Sequence, residues 1–304
     1  MIVNCATTYN LGAVKLGMYH GEEVLNVRSV TPLDLISTKV VRASAIFSWD
    51  LPAMRELCAN ALFYGCEVEV GGPAVTFNHK RLDLPGVRVH VGLHDCDEVQ
   101  GTFPMTWTSR GCIRDCPWCI VPTIEGREMR PIAPIYAPMI LDNNFLALPE
   151  YHIDAVLQEW SGKKVDWNQG LDARLYTPAF KEKVEKYDVR PTVWRFAYDF
   201  GGAKNAVRRA VEDLNHINHN RIRVYILFNH DESPPEARDR VEEIISWGAS
   251  PYPMSYYPLD WEDRAYHVSP QWTYQEIVDF RRFFSRAHLW RSMTYEDYKP
   301  RKVA

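Results

Sequence analysis

The sequence predicts an α/β protein: a partial (β/α)6 barrel of parallel strands, preceded by a small Rossmann-like α/β domain. Three observations lead there. Strand-sized apolar runs alternate with amphipathic helical stretches along most of the chain, the pattern of parallel sheets built from strand–helix–strand crossovers. Twenty Pro and sixteen Gly are spread over 304 residues without a period, which excludes collagen-like and low-complexity chains. Hydrophobic residues make up 46% and charged ones 24%, ordinary globular usage that excludes disorder for most of the chain.

The expected first domain covers residues 1–100. Ile2–Ala6 is a short strand, Gly12–Tyr19 a short helix and Val40–Phe47 a second strand. Over Pro52–Tyr64, Met54, Leu57, Cys58, Ala61 and Leu62 recur at helical spacing, and Gly65 closes the segment. Residues 66–73, Cys-Glu-Val-Glu-Val-Gly-Gly-Pro, form a strand running into a glycine-rich turn.

The expected barrel covers residues 101–270. Its six strands are Met105–Ser109, Met139–Asn143, Val165–Gln169, Val193–Tyr198, Arg223–Phe228 and Pro253–Tyr257. The helices between them are Pro149–Trp160, Pro178–Tyr187, Ala203–Leu214 and Pro235–Trp247. Right-handed crossovers curl such a sheet into a partial barrel, with the chemistry at the C-terminal ends of the strands. Residues 271–304 form a C-terminal helical extension. Over Tyr274–Trp290, Ile277, Val278, Phe280, Phe283, Phe284 and Leu289 lie beside Arg281, Arg282 and Arg286. An amphipathic helix laying its aromatic face on the barrel is the favoured reading; an Arg/aromatic nucleic-acid surface is the alternative.

The formal net charge of −4 gives no global basic field to attract nucleic acid or anionic lipid. The longest strong apolar run, Val224–Phe228, is far shorter than the roughly 18 residues of a membrane span. The first eight residues lack the basic and apolar regions of a signal peptide. The expected location is cytoplasmic, without a membrane partner.

Seven cysteines, an odd number for a reducing compartment, argue against a disulfide framework. Cys5, Cys58, Cys66 and Cys96 are scattered. The other three stand together in Thr108-Ser-Arg-Gly-Cys112-Ile-Arg-Asp-Cys116-Pro-Trp-Cys119-Ile-Val-Pro122. Spacing of i, i+4, i+7 is one face of a helix, where cysteine is often a small buried hydrophobe. Gly111, Pro117 and the intervening Arg114, Asp115 and Trp118 point instead to a loop. Three thiolates in one short loop can wrap a compact inorganic centre. Structural zinc asks for a fourth ligand, which His94 or Cys96 would supply. An iron–sulfur cubane held by three cysteines leaves one iron open for a substrate or cofactor.

The Cys-x3-Cys-x2-Cys motif, with an aromatic before its last cysteine, resembles the signature of the radical S-adenosylmethionine (radical SAM) superfamily. The longer string Arg110-Gly-Cys112…Cys116-Pro-Trp-Cys119-Ile-Val-Pro122…Gly126-Arg-Glu128 is similar to the cluster loop of its methylthiotransferase branch. The resemblance implies that Cys112, Cys116 and Cys119 ligate a 4Fe–4S cluster whose open iron chelates S-adenosylmethionine. It implies reductive cleavage to a 5′-deoxyadenosyl radical that abstracts hydrogen from an unidentified substrate. An electron donor such as a flavodoxin or ferredoxin is implied as partner. By family position, Trp118 lies near the adenine.

The expected strand ends carry polar groups. They read Leu141-Asp-Asn-Asn144, Asp166-Trp-Asn-Gln169-Gly-Leu-Asp172-Ala-Arg174, Arg195-Phe-Ala-Tyr198-Asp199, Leu227-Phe-Asn229-His230-Asp231 and Ser255-Tyr-Tyr257. Each alone is also ordinary turn chemistry; the succession favours a ligand site. The resemblance assigns Asp142 or Asn143 to the methionyl amino group, without the family's usual Gly-Gly-Glu. It makes Gln169, Arg195 and Asp199 candidates for the ribose and carboxylate. Arg174 is either a carboxylate clamp or a surface ion pair.

The first domain resembles a degenerate cobalamin-binding fold, with Val70-Gly-Gly-Pro73 as its clearest likeness but no Asp-x-His-x-x-Gly string. The expectation is a lid or substrate platform holding neither cobalamin nor a second cluster. Two alternative functions stand beside the radical SAM reading. One is methylthiotransferase-like modification of RNA or protein, which needs a second cluster. The other is a non-catalytic zinc or iron–sulfur module.

Overall fold

A computed structural model describes residues 1–82, 84–99 and 101–298. The chain forms two compact units. The first comprises Met1–Phe103, Arg114–Glu128 and Pro258–Ala265; the second comprises Pro104–Ile113, Met129–Tyr257 and Tyr266–Ala304.

The first unit holds a parallel sheet of β1 (Ile2–Asn4), β2 (Val24–Asn26), β3 (Val40–Ser44), β4 (Glu67–Gly71) and β5 (Val87–Val89), in the order β2-β1-β3-β4-β5. Around it lie α1 (Leu11–His20), α2 (Pro32–Ile36), α3 (Leu51–Phe63), α4 (Pro73–Phe77) and, from the later segment, α5 (Val121–Ile124). The ends of these helices follow from local chemistry. The Asn10 side chain accepts the Ala13 N–H at the start of α1, and Thr31 and Asp34 form a capping box on α2. Val41, Ala43, Val68 and Val70 pack with Leu51, Met54, Leu57 and Cys58 of α3. Gly72 (φ +104°) lets β4 turn against β3, since a Cβ there would stand 2.4 Å from the Ala45 carbonyl oxygen. Pro258–Ala265 is tied to this unit by a two-donor ion pair from Arg55 to Glu262, and Arg81 adds bonds to Asp260 and Glu262.

The second unit carries β6 (Met105–Thr106), β7 (Ser109–Arg110), β8 (Arg130–Pro131), β9 (Met139–Ile140), β10 (Lys164–Trp167), β11 (Arg190–Ala197), β12 (Ile222–Phe228) and β13 (Ser250–Ser255). Its parallel sheet has the order β13-β12-β11-β10-β9-β6, the sequence order interrupted only by the separate β7–β8 ribbon between β6 and β9. The connecting helices are α6 (Glu150–Glu159), α7 (Pro178–Lys186), α8 (Lys204–Asp213) and α9 (Pro234–Ser246). Side chains alternate along β12: Ile222, Val224, Ile226 and Phe228 join Val207, Val211, Val241 and Ile244 in one core, leaving half-buried Arg223 and Leu227 and buried Tyr225 on the other face. Pro251 and Pro253 fit β13 because an edge strand tolerates missing N–H donors.

Two expectations are corrected here. The first barrel strand, read as Met105–Ser109, stops at Thr106, because the N–H groups of Thr108 and Ser109 bond to the Asp142 carboxylate instead of a neighbouring strand. The helix read as Tyr274–Trp290 breaks at Ser285–Arg286 into α10 (Tyr274–Phe284) and α11 (Ala287–Trp290). Its aromatic face is part of the second unit's core: the Phe280 ring lies 4.6 Å from Phe228 and 5.4 Å from Trp272. No helix among the described residues is long and apolar enough to cross a membrane.

Candidate functional site

The cysteine loop begins at a two-stranded ribbon, in which Ser109 and Arg110 pair antiparallel with Pro131 and Arg130. The Arg110 guanidinium is stacked 3.5 Å from the Trp107 ring centroid, which fixes that entry. Gly111, at φ +89°, then turns the chain in a conformation that L side chains rarely adopt. The Cys119 N–H donates to the Cys116 carbonyl at 3.0 Å, closing a turn over Pro117 and Trp118 with proline at its favoured second position. The loop expected from sequence is therefore present, and α5 follows it directly.

The seven thiols fall into two classes. Cys112, Cys116 and Cys119 are half-buried, whereas Cys5, Cys58, Cys66 and Cys96 are buried. Burial pushes the Cys5 and Cys66 thiols up and Cys58 up to about 11, which disfavours the thiolate a metal requires. Among the described residues, no three His, Cys, Asp or Glu side chains stand as a preformed metal cage. The three loop cysteines thus differ from the other four in their exposure.

Asp142 is fully engaged by the loop's entry. It is buried, and its carboxylate accepts from Thr108 N at 2.6 Å, Thr108 Oγ1 at 2.5 Å, Ser109 N at 3.2 Å and Ser109 Oγ at 2.8 Å. Burial raises its pKa while these donors oppose the shift. Asp142 thus pins the end of β9 to the loop's entry. His152 adds a second tie, its Nε2 lying 2.9 Å from the Thr108 carbonyl oxygen.

Asn143 is half-buried, and the residue after it also reaches the loop. Buried Asn144 donates through Nδ2 to Cys112 Sγ at 3.7 Å and to Asp172 Oδ2 at 3.4 Å. Its Oδ1 is buried without a hydrogen-bond partner among the described residues. The sequence offered Leu141-Asp-Asn-Asn144 as one polar cluster; only the turn after β9 decides which member faces the cysteine.

The later candidates divide. Arg195 gives two donors to Asp166, at 2.5 and 2.6 Å, and one to Tyr225 Oη at 2.9 Å, so the carboxylate it clamps is internal. Asp199 accepts the Leu227 N–H at 2.7 Å, joining the ends of β11 and β12, and burial raises its pKa. Gln169 is exposed in the turn closed by Gly170 N–H on the Trp167 carbonyl. Arg174 is a bidentate partner of Asp172, at 2.7 and 3.0 Å, which is the ion-pair reading of the two that sequence left open. Trp118 is half-buried within the cysteine turn. Asn229 (φ +63°) locks the end of β12, donating to Ser255 Oγ and the His267 carbonyl and accepting from Ser269 N–H.

No family model matches the chain, and no curated protein matches it either.

Proposed function

We propose that the chain is a radical SAM enzyme acting on an unidentified substrate, with the second unit's sheet as its partial barrel. The observation that carries this reading is the Cys-x3-Cys-x2-Cys loop, whose three thiols are half-buried while every other cysteine is buried. Parallel strands laid in chain order, apart from the β7–β8 ribbon, support the barrel. Right-handed crossovers in such an order would put the helices on one face and let the sheet curl away from them.

When bound, a 4Fe–4S cluster with one open iron would supply the electron that cleaves S-adenosylmethionine. Cys112, Cys116 and Cys119 would hold it. Gly111 and the Cys116–Cys119 turn set the loop's path, and Asp142 fixes its entry to β9. Asn144 fits the cofactor better than Asp142 does: its unpartnered Oδ1 is an acceptor in want of a donor such as an ammonium group. Trp118 would flank the adenine. An external flavodoxin or ferredoxin would deliver the electron. Buried Cys5, Cys58 and Cys66 are poor ligands for a second cluster, which weighs against methylthiotransfer.

Anaerobic reconstitution tests the ligand assignment. The chain should take up about four iron and four sulfide, and Cys112→Ala, Cys116→Ala and Cys119→Ala should each lose most of both. Cys58→Ala should load as the parent does. Equal iron loss from both groups of variants, or retention of zinc alone, would contradict the assignment.

A further inference from the structure

On the second unit's sheet, the face turned away from the helices carries charge and aromatic rings. Asp166 of β10, Arg195 of β11, Arg223 and Tyr225 of β12 and Tyr252 of β13 form one connected cluster. Arg195 clamps Asp166 and bonds Tyr225 Oη, and Tyr225 Oη donates on to the Asn168 carbonyl at 2.7 Å. The Tyr225 and Tyr252 rings meet edge-on at 5.4 Å, and the Arg223 guanidinium lies 5.4 Å from the Tyr252 ring centroid.

The charges in this cluster do not balance. Arg195 and Arg223 are register partners on adjacent strands, a like-charge juxtaposition that destabilises a sheet. Asp166 neutralises Arg195. Arg223 is half-buried and forms no ion pair or hydrogen bond among the described residues. Arg281 of α10 is bonded to Tyr266 Oη. Tyr252 and Met254, 41% and 38% exposed, leave apolar surface open on the same face.

A half-buried guanidinium without a counter-ion costs desolvation that an incoming anion offsets. We propose that this face binds a small ligand carrying an oxyanion on a planar ring, an aryl or heteroaryl carboxylate or phosphate. Arg223 takes the oxyanion, and Tyr252 and Met254 cover the ring. Arg223 lies five residues before the end of β12, about 17 Å along the strand. The anion is thus a handle remote from the C-terminal strand ends, where binding energy can position the rest of the molecule. Calling this ligand the substrate rests on the radical SAM reading; its binding does not.

Calorimetric titration of the full-length chain, with and without reconstituted cluster, tests the inference. Phenyl phosphate, benzoate and inorganic phosphate are the probes, and the tighter of the first two identifies the oxyanion. At least one aryl anion should bind, and Arg223→Gln should weaken it about tenfold or more. Tyr252→Ala should weaken the aryl anion and leave inorganic phosphate unchanged. Wild-type protein that binds no probe, or Arg223→Gln protein that binds equally well, overturns the proposal. Should Arg223→Gln fail to fold, Arg223→Lys keeps the charge but not the fork; a several-fold loss supports the site and unchanged affinity refutes it. Anion binding without S-adenosylmethionine cleavage removes only the enzymatic reading. Cleavage without anion binding removes only this one.

Discussion

Asn144 Nδ2 donates to Cys112 Sγ at 3.7 Å, so the turn after β9 touches the first cysteine of the loop directly. Hydrogen bonds to the sulfurs of a cluster stabilise its more negative, reduced form. Asn144→Ala should therefore lower the midpoint potential of the reconstituted cluster while the protein still loads iron. Potentiometric titration followed by electron paramagnetic resonance reads the shift. An unchanged potential would mean that the amide has no bearing on the cluster.

Asp142 is predicted to act through the fold. Asp142→Ala strips the acceptor from two buried backbone N–H groups and two hydroxyls, which should cost roughly 3 kcal/mol of stability. Asp142→Asn retains one acceptor oxygen and should cost less. Urea denaturation gives both values. A normal midpoint for Asp142→Ala would show that these bonds do not hold the loop entry.

Much of the second unit was legible because β10, β11 and β12 and the helices between them are long enough for their periodicity to show. Val224 and Ile226 mark the buried face of β12 in the sequence itself. Other features were not. Val24–Asn26 and Val87–Val89 are three-residue strands, too short for alternation to register. Asp142, Asn143 and Asn144 are chemically alike in a string, and the turn alone sends one carboxylate to Thr108 and one amide to Cys112. Arg223 was readable as a strand residue, but its position opposite Arg195 depends on register, which no local pattern encodes.

Asp50 in the first unit should make stability depend on pH. One oxygen accepts the Phe47 N–H at 3.2 Å; Oδ1 is buried without a hydrogen bond, with Arg264 3.6 Å away. Burial, the largest influence, raises its pKa above the ordinary carboxylate value. The folded state then holds the proton more firmly than the unfolded chain. Its contribution is complete below the ordinary value and is lost as pH rises through the raised one. Asp50→Asn has no such proton to lose, so its melting temperature should fall less between about pH 4 and neutrality than that of the parent. Parallel melting curves across that window would contradict the assignment.

The central claim is that the loop of Cys112, Cys116 and Cys119 serves S-adenosylmethionine chemistry. Its most direct measurement is 5′-deoxyadenosine, quantified by mass spectrometry after the reconstituted protein is incubated anaerobically with S-adenosylmethionine and dithionite. The account predicts 5′-deoxyadenosine and methionine in equal amounts, dependent on the reductant and absent from Cys112→Ala. A fully loaded protein that leaves S-adenosylmethionine intact, or that forms the product equally well after Cys112→Ala, would contradict it.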